Sequence, residues 1–455
     1  MIKYNIYLIA FASAISGLLF GYDAGIIASA ILFIKKEFIL NDQQIGFIVS
    51  AVPLGALFAS LLSGRLSDAI GRRQSLLFAA FLFIFGSLIC MISLTPLTLI
   101  LGRILLGLAI GFGSCISPVY TSELAEEKKR GWLVNIFVVM IQFGVFLSFL
   151  TGYLLSTQGA WRIMVGLGVI PALCLAYAAW ILPESPRWLV VQGKRQKALD
   201  IFSNLYKKEQ AESYINELES VLAHEKNISS QLFKPCFFKV IFIGAAISFF
   251  TQTVGINVLN YYAPTIFQRT GFSTPHMATL MTMLMGLVLT LSTIGSLFFI
   301  DKVGRRTPLL ISTTGILMSL LLITCSFQFL TDPHLVGWMM FIGTVLFMIF
   351  HGVGIGPACF LIPSEIFPAR VRGMGMGVSV ACNWGANVAV AYCVPLFLTR
   401  LGPAQLFFIF FLISVIGWIV FYLYIPETKQ VSLETIEKNI LNNVKMRNLG
   451  NQFAG

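Results

Sequence analysis

Apolar runs of roughly 20 residues recur along the whole chain, each long enough at 1.5 Å per residue to cross a ~30 Å hydrocarbon layer. Between charged or turn-forming punctuation they fall at about 6–34, 44–63, 74–94, 97–119, 132–156, 160–182, 237–268, 277–300, 307–329, 337–362, 373–396 and 404–425. Hydrophobic residues make up 57% of the sequence and charged residues 11%, where a soluble protein carries about 25% charged. Soluble domains could not be given a polar surface from this composition. The pattern predicts an all-α membrane protein with twelve spans.

Residues 183–236 form the one long polar interruption, with helical stretches such as 211–224. They divide the chain into an N-terminal six-helix bundle (1–182), a cytoplasmic linker (183–236), a C-terminal bundle (237–425) and a cytoplasmic tail (426–455). The first run is longer than the 7 to 15 residue core of a cleavable signal and is expected to stay as a span. The eight cysteines lie in or beside apolar runs without close pairing and read as small apolar fillers.

The net charge of +11 is a topological signal. With both termini cytoplasmic, 25 of the 31 Lys and Arg fall inside, five outside (Lys35, Lys36, Arg162, Arg269, Arg400), and Arg103 lies within a span. That asymmetry follows the positive-inside rule. No basic tract with interleaved aromatics offers a nucleic-acid surface.

The sequence also repeats itself. Gly64, Arg65, Asp68, Gly71, Arg72 and Arg73 after span 2 recur after span 8 as Asp301, Gly304, Arg305 and Arg306, and Glu123 with Arg130 after span 4 recurs as Glu365 with Arg372 after span 10. Pro183-Glu184-Ser185 and Pro426-Glu427-Thr428 close the two halves. Ordered matches of this kind point to duplication. Two six-span halves related by an axis along the membrane normal make a secondary transporter with its site between them near the midplane. In that picture Asp68, Arg72, Glu123, Arg130, Asp301, Arg305, Glu365 and Arg372 latch a cytoplasmic gate by ion pairs; alternatively, such charges only solvate helix ends.

These motifs resemble the sugar porter family of the major facilitator superfamily: Gly-Arg-x-x-Asp-x-x-Gly-Arg-Arg at 64–73, Pro-Glu-Ser-Pro-Arg-Trp-Leu at 183–189, Gly-Ile-Asn at 255–257 and Pro-Glu-Thr-Lys at 426–429. The resemblance spans nearly the whole chain. It implies the major facilitator fold and transport by alternating access.

Asp23 is the only acid well inside an apolar run, and Arg103 the only base. An unpaired carboxylate there must be protonated, paired or facing water. Span 4 enters from outside and span 1 runs outward, so the two sit at compatible depths and can pair. The pair reads either as a static bridge or as a proton switch. Resemblance implies the switch, because proton-coupled sugar porters carry Asp in this Phe-Gly-Tyr-Asp setting. His351, also within a span, is a rival proton carrier or a packed neutral histidine. The remaining histidines offer no metal-ligand set, and no cofactor is expected.

A sugar needs amides for its rim and an aromatic ring for its C–H face. Span 7 offers Gln252, Asn257 and Tyr261, spaced to share one broad helical face, with Asn260 beside them, and span 11 offers Asn383 and Trp384. Amides within spans can equally be interhelix glue. Resemblance implies that Gln252, Asn257, Tyr261, Asn383 and Trp384 line the pocket. It also marks departures: Thr251 replaces the first Gln of the span 7 pair, Val138 a span 5 Gln, Leu289 a span 8 Asn and Phe360 a span 10 Trp. Gln142, one turn beyond Val138, is a candidate replacement amide. Gly352, Gly354, Gly356 and Pro357 in span 10, and Tyr262-Ala263-Pro264 in span 7, are expected to interrupt their helices.

The resulting expectation is proton-coupled symport of a pentose, hexose or cyclitol by a monomer in a lipid bilayer, in a bacterial inner membrane. The alternatives are a facilitative uniporter and, from another class, a sugar sensor on a transporter fold, for which the tail is short. An enzyme would need clustered nucleophile, base or metal ligands within the spans, and the sequence offers none.

Overall fold

In the computed structural model the described residues are 5–206, 211–216, 218–219, 235–298, 303–367, 372–429, 431, 433–442 and 444–450. Asp301 lies outside them, as do the side chains of Arg130, Phe360 and Arg372. The fold is all-helical among the described residues. Twelve helical segments are long and apolar enough to cross a membrane: Ile6–Glu37, Asp42–Ile70, Arg72–Met91, Pro96–Leu124, Gly131–Leu155, Trp161–Ile181, Phe237–Phe267, Pro275–Ser296, Arg306–Phe329, Pro333–Pro363, Met374–Arg400 and Pro403–Tyr424. They are spans 1 to 12 below.

Several helices outrun their apolar cores. Span 2 continues to Ile70 and span 4 to Leu124, 29 residues each, or ~43 Å at 1.5 Å per residue. Their last turns therefore stand beyond the hydrocarbon and carry the charged motifs into the adjoining polar layer. An even number of spans puts both chain ends on one face, called here the terminal face. Spans 4, 8, 10 and 12 all start from the opposite face with Pro at the first helical turn, where a missing N–H costs nothing.

Close helix contact within the first half depends on absent side chains. A Cβ on Gly21 of span 1 would sit 1.8 Å from the Ile141 carbonyl of span 5, and one on Gly107 of span 4 would sit 2.2 Å from the Val52 carbonyl of span 2. Small residues let backbones approach where no hydrophobic force drives the helices together in lipid.

Span 7 breaks at Gly255, seven to nine residues before the expected place. Its first helix ends at Thr253 and its second starts at Ile256, with Gly255 at φ +106° between them. Pro264 is carried inside the second helix. A proline only removes one hydrogen bond, whereas a positive φ turns the chain out of the helix altogether. Span 10 does loosen where its glycines are: His351–Ile355 form a π-helical turn just before Pro357. Ser312 of span 9 holds that turn, donating to the Phe350 carbonyl at 2.7 Å and accepting from the Ile355 N–H at 3.0 Å. Span 6 is interrupted as well, between Gly166 and Val169.

The halves meet on the opposite face. The rings of Tyr153 and His276 stack at 4.4 Å, and Ser156 Oγ lies 3.1 Å from His276 Nδ1, tying span 5 to span 8. Phe47 of span 2 meets Tyr392 of span 11 at 5.0 Å. On the terminal face the ion pairs of Arg72 with Asp68 and Glu123 lie within the first half and that of Arg305 with Glu365 within the second.

Candidate functional site

Asp23 and Arg103 come together inside the first half, 5% and 1% exposed. Arg103 Nη1 stands 3.9 Å from Asp23 Oδ1, too far for a hydrogen bond. The arginine is fixed elsewhere, through Nε to the Ile48 carbonyl at 2.7 Å. Asp23 Oδ2 and Arg103 Nη1 have no partner. Opposite charges this deep attract strongly, yet here they are held apart with one donor and one acceptor unmet. Such a pair can tighten or release without other bonds being broken first.

One turn before Asp23 on span 1, Phe20 crosses to the second half and lies against Trp384, centroids 5.4 Å apart. The sequence reading missed this contact; Phe20 carries no polar atom and looks like any apolar residue of a span. Beside Trp384, three amides form one chain. Asn257 Nδ2 donates to Gln252 Oε1 at 2.5 Å, Gln252 Nε2 to Asn383 Oδ1 at 3.1 Å, and Asn383 Nδ2 to the Ser248 carbonyl at 3.2 Å and to Cys359 Sγ at 3.5 Å. The break at Gly255 makes this possible. Gln252 and Asn257 lie on different helices, so the helical-face spacing expected across 252, 257 and 261 does not apply to the first step.

Tyr261 is one turn further along and donates to Asn387 Oδ1 at 3.1 Å, a span 11 amide the sequence reading did not single out although it stands four residues after Asn383. Thr251 is not part of the chain: its hydroxyl donates back to the Ile247 carbonyl at 2.8 Å. Gln142 takes part across the halves through its backbone, whose carbonyl accepts from Thr290 Oγ1 at 2.9 Å. No hydrogen bond joins its side chain to the amide chain. His351 is buried against Phe347 with neither ring nitrogen hydrogen-bonded.

The charged motifs build one cage in each half. In the first, Arg72 grips Glu123 through Nε and Nη2, each at 3.1 Å, and reaches Asp68 at 2.9 Å. Glu123 also accepts from Ser185 Oγ at 2.5 Å, and Glu184 accepts from the backbone N–H groups of Arg72, Arg73 and Ser185 at 2.8 to 3.1 Å. Burial lifts the Glu184 carboxyl above the usual range, while those N–H groups and Arg72 draw it back. In the second half Arg305 grips Glu365 at 2.9 Å, Thr428 Oγ1 donates to Glu365, and Glu427 accepts from the N–H groups of Arg305 and Arg306 at 2.9 and 3.1 Å. Of the residues expected to latch the gate, Asp68, Arg72, Glu123, Arg305 and Glu365 pair within their own half in this conformation. Single-sequence reasoning could place the charges at helix ends but not choose between partners in one half and partners across the gate.

The motif glycines have a double reason. Gly71 and Gly304 adopt φ +95° and +105°, and a Cβ on either would lie 2.4 and 2.6 Å from the carboxylate of Glu184 or Glu427. Gly71→Ala is expected to destabilise the first half by about 1 to 3 kcal/mol, read as a lowered melting temperature of the purified protein. An unchanged melting temperature would show that the glycine seat is dispensable.

Two pseudo-repeated six-helix bundles, with a chain of amides and aromatic rings near their meeting and a buried ion pair in the first, define a secondary carrier of the major facilitator fold. A family model described as sugar (and other) transporter matches residues 9–440, and the chain belongs to that family. It is 35% identical over 442 residues to the probable metabolite transport protein CsbC of Bacillus subtilis (strain 168), covering 97% of this chain and 96% of the relative. It is 34% identical over 443 residues to the arabinose-proton symporter of the same organism, covering 95% and 94%. Among solved structures, the inward open conformation of the xylose transporter XylE from E. coli superposes with a TM-score of 0.83 at 26% identity, covering 95% of this chain and 99% of that one.

Proposed function

We propose that the chain carries a monosaccharide or cyclitol together with a proton across the membrane by alternating access. The observation that carries this reading is the Asp23–Arg103 pair, buried, 3.9 Å apart and one helical turn from the contact of Phe20 with Trp384, the residue that follows Asn383 of the amide chain in span 11. Asp23 takes a proton, its pull on Arg103 weakens, and span 1 becomes free to shift against span 4. Through Phe20 that shift reaches Trp384, and the pocket and the proton site move together. The names of an arabinose-proton and a xylose transporter among similar proteins support a sugar as cargo.

Gln252, Asn257, Asn383, Trp384 and Tyr261 would hold the cargo, the amides exchanging their mutual hydrogen bonds for bonds to hydroxyls. Thr251, Phe360 and Gln142 are further candidates for contact with the cargo. Asp68, Arg72, Glu123 and Arg130, with Asp301, Arg305, Glu365 and Arg372, would stiffen the halves around the gate. The terminal face is taken as cytoplasmic, from the excess of Lys and Arg there, and the lipid environment as a bacterial inner membrane. The chain works as a monomer divided at 182–183, 236–237 and 425–426. Closure of the opposite face by the Tyr153–His276 and Phe47–Tyr392 contacts then corresponds to an inward-facing state.

One proton crossing 100 mV releases ~2.3 kcal/mol, enough for roughly 40-fold accumulation. Proteoliposomes with an imposed pH gradient and a panel of labelled pentoses, hexoses and inositol test this: uphill uptake of at least one of them, collapsing with the gradient, is expected. Uptake that only equilibrates, and sugar addition that leaves external pH unmoved, would instead mark a uniporter.

A further inference from the structure

At the terminal end of span 12 two cations crowd one ring. The guanidinium carbons of Arg306, at the start of span 9, and Arg447, in the 3-10 turn Met446–Asn448 of the tail, lie 5.6 and 5.0 Å from the Tyr422 ring centroid. Like charges brought together repel. Among the described residues no acidic side chain forms an ion pair with either. The adjacent carboxylate, Glu427, is occupied by the backbone N–H groups of Arg305, Arg306, Thr428 and Lys429 at 2.9 to 3.1 Å.

The repeat makes the anomaly sharper. In the first half Arg73 gives Nε to the Ala179 carbonyl and Nη2 to the Trp180 carbonyl. Arg306 gives Nη2 to the Tyr422 carbonyl at 2.8 Å, but its Nε is buried with no partner. A free donor and a second guanidinium thus sit together where the other half has neither. A guanidinium fork suits the oxygens of a phosphate, and two around one ring offer it two such forks.

Position selects the source of that phosphate. Trp418 stacks flat on Tyr422 at 5.3 Å, and Tyr422, Leu423 and Tyr424 are 41, 49 and 46% exposed at the end of an apolar span. Amphipathic rings at a span's end sit at the lipid headgroup level. An anion bound there has acyl chains as neighbours on one side and the tail on the other. We propose that Arg306 and Arg447 hold the phosphodiester of an anionic phospholipid. Bound there, the lipid fastens the tail to the start of span 9, beside the Arg305–Glu365 pair.

The test uses the full-length protein in detergent with equimolar phosphatidylglycerol and phosphatidylcholine, read by native mass spectrometry and thermal melting. Wild type is expected to retain phosphatidylglycerol preferentially, and Arg447→Gln to lose that retention by roughly tenfold or more, the value of a charge-assisted bond. Lys445→Gln, a tail cation not on the ring, is expected to behave as wild type. Phosphatidylglycerol is expected to raise the melting temperature of wild type and not of Arg447→Gln. Equal retention of the two lipids by wild type, or undiminished retention by Arg447→Gln, overturns the proposal. Displacement of the lipid by glycerol 3-phosphate at matched concentration overturns the lipid as the source and assigns the arginines to a soluble phosphate ester.

Discussion

Asp23→Asn is expected to abolish uphill accumulation in proteoliposomes while sparing exchange of labelled sugar between equal pools. Asparagine keeps the shape and hydrogen-bonding edge of the protonated acid but cannot release a proton or pair ionically with Arg103, 3.9 Å away. The driven component, roughly 40-fold at 100 mV by one proton, should vanish, and the pH dependence of entry should flatten with it. Exchange depends on the pocket and the rocking of the halves, both left intact. Concentrative uptake retained by this variant would remove Asp23 from the coupling mechanism and leave the pair as a static bridge between spans 1 and 4.

Gln252→Ala carries the second largest effect. Gln252 is the middle link of the amide chain, accepting from Asn257 and donating to Asn383. Its removal strands one donor and one acceptor and withdraws two groups from any bound hydroxyl. At about 1 to 3 kcal/mol per unmet buried polar group, the apparent KM should rise by roughly 10 to 100-fold, with the proton-driven ratio at saturating sugar preserved. Uptake kinetics and the accumulation ratio, measured on the same vesicles, separate the two effects. A KM within twofold of wild type would mean the cargo binds elsewhere.

Sequence alone made legible what is local or repeated. Span count follows from the length of apolar runs, and the helix ends shift by only a few residues except where charged turns continue span 2 to Ile70 and span 4 to Leu124. The lone acid and lone base could be matched by depth because a helix converts residue number into distance. What stayed hidden depends on single torsions or on apolar contacts. One positive φ at Gly255 moved the break in span 7 away from Pro264 and carried Gln252 onto a separate helix. Phe20 against Trp384 joins an unremarkable apolar residue to the candidate pocket ring some 360 positions away, and no spacing rule links them. The pairing of Arg72 with Asp68 could be read from their i, i+4 spacing, but the grips of Arg72 on Glu123 and of Arg305 on Glu365 could not, because several carboxylates lie at the same depth and only packing decides which one each arginine reaches.

The glycine-seated carboxylates Glu184 and Glu427 have a mechanical consequence. Each locks the segment after its bundle's last span to the start of that bundle's third span, so a bundle answers a push at one point by turning as a block. A small tug at a single titrating group then becomes a swing at the far rim, because little of the motion is lost to bending within the lever arm.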